Sequence, residues 1–151
     1  MRLSCKTLVI FSVTAAPAKC PVNIVIVLDD SSSIGSTNFN LTKSFLSQLV
    51  GYLDIDSGNT RLGLVTYSTS ATTRFNLNTH NSVTSVQSAI YSLTYSAGGS
   101  TNTHVALAHV RTLVLNSAAG DRNNVSNVVV LLTDGKSGNS TATLVSDLIR
   151  F

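Results

Sequence analysis

Glutamate is missing from this chain: all seven acidic residues are Asp, and charged residues fill only 11% of its 151 positions. Asn, Ser and Thr are abundant instead, so neutral polar groups solvate most of the surface. Runs of like charge are missing too, which excludes electrostatic capture of DNA, RNA or anionic lipid. No Gly-X-Gly-X-X-Gly follows the first apolar strand and no Gly-Lys-Ser/Thr loop exists, so a nucleotide has no phosphate cradle. There is no Gly-X-Ser-X-Gly elbow; the stretch Asp134-Gly135-Lys136-Ser137-Gly138 does not supply one, and no general acid stands out beside Asp29. An enzyme is therefore not expected. No apolar stretch approaches the roughly 20 residues of a membrane-spanning helix. Internal repeats, low-complexity tracts and linkers are also absent, and the length suits one domain. With 43% hydrophobic residues, that domain is expected to have a packed core.

What is present begins with MRLSCKTLVIFSVTAAPAKC. Arg2 and Lys6, a short apolar stretch from Thr7 to Ala16, and then Ala16-Pro17-Ala18 form the pattern of a secretory signal, so residues 1–18 read as a leader and 19–151 as the mature domain. The formal charge of +3 falls to +1 once Arg2 and Lys6 leave, eight basic residues then facing seven acidic ones. Three Asn-X-Ser/Thr triplets, at Asn40, Asn124 and Asn139, fit a secreted protein. Cys5 leaves with the leader, so Cys20 is expected to find a partner outside this sequence or to form an intermolecular disulfide, with a plain free thiol as the alternative.

Apolar periodicity orders the elements. Val22–Leu28 and Asn127–Thr133 are continuous, β-branched runs that read as buried strands. Leu62–Tyr67 and Thr72–Leu77 are shorter strands joined by a hairpin over Ser68–Ala71. Helices are expected over Ser36–Leu53, with Phe45, Leu46, Leu49, Val50 and Leu53 on one face, over Ser82–Leu93, and over about Asn102–Leu115 with Leu107, Val110 and Val114 inward. A last helix carries Leu144, Val145, Leu148 and Ile149. Strands alternating with helices imply an α/β fold: an open, mainly parallel sheet with helices on both faces. The strand at 127–133 is apolar enough to be central, yet no later strand exists to pair with its far side, so the chain looks cut short.

The first strand ends in a dense group of oxygens, NIVIVLDDSSSIGS. In an open α/β sheet, ligands bind beyond the carboxyl ends of the strands, where strand order reverses. Asp29, Ser31 and Ser33 lie at such an end. Thr101 lies in a Gly-Gly loop that opens a helix, and Asp134 follows the second apolar strand. If the two apolar strands are neighbours, three loops bring two carboxylates and three hydroxyls together. Such hard oxygens suit Mg²⁺, Ca²⁺ or Mn²⁺ and argue against zinc or copper. Two Asp neutralise a divalent ion without saturating it, so the ion stays attractive to a carboxylate from a partner. Each residue also has a bland role: Asp29 and Ser31 could shape a turn or cap a helix, Thr101 could be an N-cap, and Asp134-Gly135 a simple turn.

VIVLDDSSSIG, GGSTNT and VVVLLTDGKSG, in this order and at these element ends, resemble the three metal-site segments of the von Willebrand factor type A domain, of the matrilin-like and collagen VI-like matrix type. RLGLVTYS and VALAHVRTLVL extend the likeness, which covers about residues 20–151. The resemblance implies a Rossmann-like fold and a metal-ion-dependent adhesion site at Asp29, Ser31, Ser33, Thr101 and Asp134. It further implies a protein ligand that supplies a carboxylate, such as collagen or another matrix protein, and a place in the extracellular matrix. In that family a Cys before the first strand commonly pairs with one after the last helix. Two residues depart from the pattern. Asp30 stands where Gly or Ser is common, either as a carboxylate near the ion or pointing to solvent, and His104 replaces a common Gly at the rim. Family members also carry further strands and helices beyond the end of this chain. The competing reading is a structural matrix or mineral-associated protein assembled through Cys20 and sheet edges, with no metal-dependent ligand.

Overall fold

The computed structural model describes residues 20–134. The expected leader, the loop after Asp134, the sequon at Asn139 and the last helix lie outside the described residues.

Four strands form one sheet: β1 (Val22–Asp29), β2 (Thr60–Tyr67), β3 (Ala71–Phe75) and β4 (Ser126–Leu132), in the order β3-β2-β1-β4. β2 and β4 both run parallel to β1, while β3 pairs antiparallel with β2 as the expected hairpin. Strand order therefore reverses at the β1–β4 pair, and the carboxyl ends of these two strands meet at one edge of the sheet.

Side chains alternate across a strand, so β1 feeds two cores. Ile26 and Leu28 join Leu62 and Leu64 beneath α1 (Gly35–Val50) and α2 (Val83–Tyr91), through Phe39, Leu46, Val50, Val86 and Ile90. Val25 and Val27 join Val65, Tyr67 and Leu77 beneath α3 (Thr103–His109), whose chain continues as a π-helical turn over Val110–Val114. Helices thus cover both faces, as the alternation of elements implied.

Several boundaries differ from the periodic reading. α1 starts at Gly35, where φ of +73° turns the chain into the helix with no side-chain cap, and it ends at Val50 before Gly51. Its buried stripe runs through Phe39, Leu46 and Val50, which leaves Phe45 54% exposed rather than inward. β3 stops at Phe75, although Leu77 beyond it is fully buried. The third helix widens after His109: the Leu115 amide donates to the Val110 carbonyl, five residues back, while Val110 and Val114 both stay buried. α2 starts one residue later than expected, at Val83, because Ser82 is its cap, with Ser82 Oγ accepting from the Ser85 amide. Cys20, just ahead of β1, is exposed and is not a free thiol.

The amino-terminal end of the sheet is closed by polar contacts. Asn23, fully buried, donates to Asp121 Oδ1 and Asn127 Oδ1 and accepts from Arg122 Nε. The Arg122 guanidinium also donates to the carbonyls of Val22, Gly58 and Asn59, tying the turn before β4 to β1 and to the turn before β2. Removing a buried partner strands the groups that faced it. Asn23→Ala is therefore expected to lower the unfolding free energy by about 2–3 kcal/mol in urea titration, while the exposed Asn124→Ala changes it little. Equal responses from the two variants would show that the clamp contributes nothing.

Candidate metal centre

In-register pairing of β1 with β4 sets Leu28 opposite Leu132, so the residues just past each strand emerge side by side. Asp29 is fully buried there. Its Oδ1 accepts from the Ser31 amide at 2.9 Å and its Oδ2 from the Thr133 hydroxyl at 2.7 Å. The other four oxygen-bearing residues form a chain above it. Thr101 Oγ1 donates to Ser31 Oγ at 3.2 Å, Ser31 and Ser33 share a hydrogen bond at 3.1 Å, and Ser33 Oγ donates to Asp134 Oδ1 at 3.2 Å. All five residues singled out in the sequence thus come together. Ser31 and Asp29 form a buried floor, and Ser33 and Asp134 an exposed rim.

Backbone contacts hold the Thr101 loop in place. The Ser32 amide donates to the Gly98 carbonyl at 2.7 Å and the Gly98 amide to the Asp30 carbonyl at 3.2 Å, a bridge between Ser31 and Gly98. The Asn102 amide donates to the Ser68 carbonyl, and Asn102 Nδ2 to that of Thr69. Tyr95 reaches over from the end of α2: its hydroxyl donates to the Ser31 carbonyl at 2.8 Å and accepts from the Gly35 amide, while its ring packs on Phe39. Below the floor, the buried Tyr67 hydroxyl hydrogen-bonds Thr103 Oγ1; burial pushes this phenol above its ordinary value of 10.0, so it keeps its proton.

Tyr67 and Tyr95 are therefore part of the site's frame. Thr133 was also missed; only the β1–β4 register reveals that a strand-end hydroxyl faces Asp29. Asp30 neither joins the oxygen group nor points to solvent. It is 2% exposed and turns to Ser96 and Arg74. His104 lies in the first turn of α3 with a buried Nδ1 that has no hydrogen-bond partner. His80 stacks edge-on against Phe75 and His109 bonds Thr73, both away from the oxygens.

Among the described residues no three His, Cys, Asp or Glu side chains gather to hold a metal, so any cation here depends on hydroxyls. The donor set suits one. Among the described residues Asp29 has no ion-pair partner, and a fully buried carboxylate held only by neutral donors still lacks a countercharge. The fit rests on oxygen chemistry and on that unbalanced charge.

The model of the von Willebrand factor type A domain matches residues 23–150. The chain belongs to the von Willebrand factor type A domain family. It is 36% identical over 119 residues to the collagen alpha-1(XII) chain of Notophthalmus viridescens, covering 79% of this chain and 13% of that one. It is 35% identical over 119 residues to human (Homo sapiens) matrilin-4, covering 77% and 19%. Relatives of this kind are structural and adhesion proteins of the extracellular matrix rather than enzymes, and the matrix is where this chain belongs. Its structure superposes on proximal thread matrix protein 1 from the mussel byssus, solved with a zinc-occupied MIDAS motif, at a TM-score of 0.80 and 28% identity, covering 86% of this chain and 35% of that one. The chain spans less than a fifth of the length of the curated relatives named.

A Cβ added at Gly98 would overlap Ser68 Oγ and Cβ, so the Thr101 loop can lie this close only with glycine there. Gly98→Ala is expected to cost about 1–3 kcal/mol of stability, and Ser68→Gly in the same chain to recover most of it. Unfolding midpoints of the single and double variants check this, and additivity of the two changes would argue against the contact.

Proposed function

We propose that this chain is a secreted adhesion module of the extracellular matrix that binds a protein ligand through a divalent cation held by Asp29, Ser31, Ser33, Thr101 and Asp134. The observation that carries this reading is the unbroken chain of hydroxyls from Thr101 to Asp134 above a buried carboxylate that has no countercharge among the described residues. When bound, the cation supplies a Lewis-acidic bridge to an incoming carboxylate. The three hydroxyls bring oxygens without charge, and Asp29 and Asp134 bring two negative charges, one buried and one at the rim. Asp29, with both oxygens already accepting hydrogen bonds, acts by orienting Ser31 and by its charge.

Hard oxygens favour Mg²⁺, Ca²⁺ or Mn²⁺, with Mg²⁺ as the leading choice. The zinc in the related mussel protein's site supports a divalent cation at such a centre. The partner is a matrix protein such as collagen that offers an acidic side chain. Residues 1–18 direct export, and Asn124, exposed in the turn before β4, and Asn40, exposed on α1, are open to glycosylation on the way out.

Two measurements test this. In the full chain, Mg²⁺ at about 100 times its Kd should raise the unfolding free energy by about 2.7 kcal/mol, and EDTA should remove the gain. Binding to a collagen-coated surface should vanish in EDTA and in Asp134→Ala. Attachment that persists in EDTA would remove the bridging ion, and a missing Mg²⁺ effect on stability would favour a purely structural matrix role.

A further inference from the structure

Asp30 is the residue of the site region that the oxygen group leaves over. Its backbone is pinned on both sides: the amide donates to the Tyr67 carbonyl at 2.9 Å and the carbonyl accepts from the Gly98 amide at 3.2 Å. Its carboxylate is 4% exposed, and Oδ2 accepts from Ser96 Oγ at 2.8 Å. An Arg74 guanidinium nitrogen stands 3.8 Å from the same oxygen, while Arg74 Nε donates to Thr66 Oγ1 at 2.7 Å. One side chain thereby ties the end of β1 to the 96–101 loop on one side and to β2 and β3 on the other.

We propose that Asp30 is a positioning residue of the metal centre. Through Ser96 it holds the 96–101 loop in the place where the Thr101 hydroxyl meets Ser31. Arg74 offsets its charge, so Asp30 acts through the shape of the loop and not as a third carboxylate pulling on the ion. A buried carboxylate here costs desolvation, and the Ser96 hydroxyl and the Arg74 guanidinium compensate for it. The proposal rests on the metal-centre reading above for its consequence, but the tether itself is a separate, observable contact.

The experiment uses the full chain with Asp30→Ala, Asp30→Asn and Ser96→Ala, and has two readouts: Mn²⁺ titration followed by electron paramagnetic resonance, and hydrogen exchange of the Gly98 amide without metal. Asp30→Ala and Ser96→Ala are expected to weaken Mn²⁺ binding about 10- to 100-fold, while Asp30→Asn, which keeps an acceptor for Ser96, stays within about threefold of the parent. Gly98 exchange should rise about tenfold or more in the two Ala variants and not in Asp30→Asn. Parent-like exchange and affinity in the Ala variants would overturn the proposal. So would Asp30→Asn failing as badly as Asp30→Ala, since charge would then be the active property. Ser96 is exposed, so Ser96→Ala carries the test if Asp30→Ala does not fold. A parent chain that takes up no Mn²⁺ would sink the metal-centre reading, while the exchange rates still decide the tether.

Discussion

Parallel pairing of β1 with β4 is the constraint on which the rest of the molecule turns. It sets Leu28 against Leu132, and so delivers Asp29, Thr133 and Asp134 to one spot from segments about a hundred residues apart. A carboxylate buried at the end of an apolar strand would be strongly unfavourable alone. The Ser31 amide and the Thr133 hydroxyl make it tolerable, and both donors are in place only because the two strands lie in this register. These donors are neutral, so among the described residues the charge of Asp29 stays unbalanced.

The Thr101 loop above that carboxylate is held by backbone and side-chain contacts together. The bridge between Ser31 and Gly98, the Tyr95 hydroxyl held between Ser31 and Gly35, and the Asn102 bonds to the β2–β3 turn fix the Thr101 loop without any ion. Such a frame spends its ordering entropy during folding, so a cation would meet oxygens already gathered. Hydroxyls that satisfy one another can exchange those bonds for metal contacts with little rearrangement. An arrangement of this kind is what the proposed reversible bridging to a partner requires.

The opposite end of the sheet has a different task. Asn23 and Arg122 close it with hydrogen bonds among side chains and carbonyls, joining the turns that precede β2 and β4. One end of β1 is thus committed to holding the sheet together, and the other to presenting oxygen atoms. The division follows from the parallel topology, which collects the carboxyl ends of β1, β2 and β4 on the same side.

Among the described residues, local pattern alone decided which segments are strands and helices, that helices cover both faces, and which five oxygen-bearing side chains stand at the strand ends, because periodicity and strand-ending polar residues act within a few neighbours. It did not decide that Phe45 would face outward, since that depends on which stripe of α1 meets α2 and the sheet. Nor could it show that Thr133 braces Asp29, that Tyr67 and Tyr95 frame the site, or that Asp30 turns away to Ser96 and Arg74. Those contacts join residues 36 to 104 positions apart, or depend on which way a short side chain turns at a strand end. Only strand register and loop packing choose among such pairings, and both are properties of the whole sheet rather than of any stretch of chain.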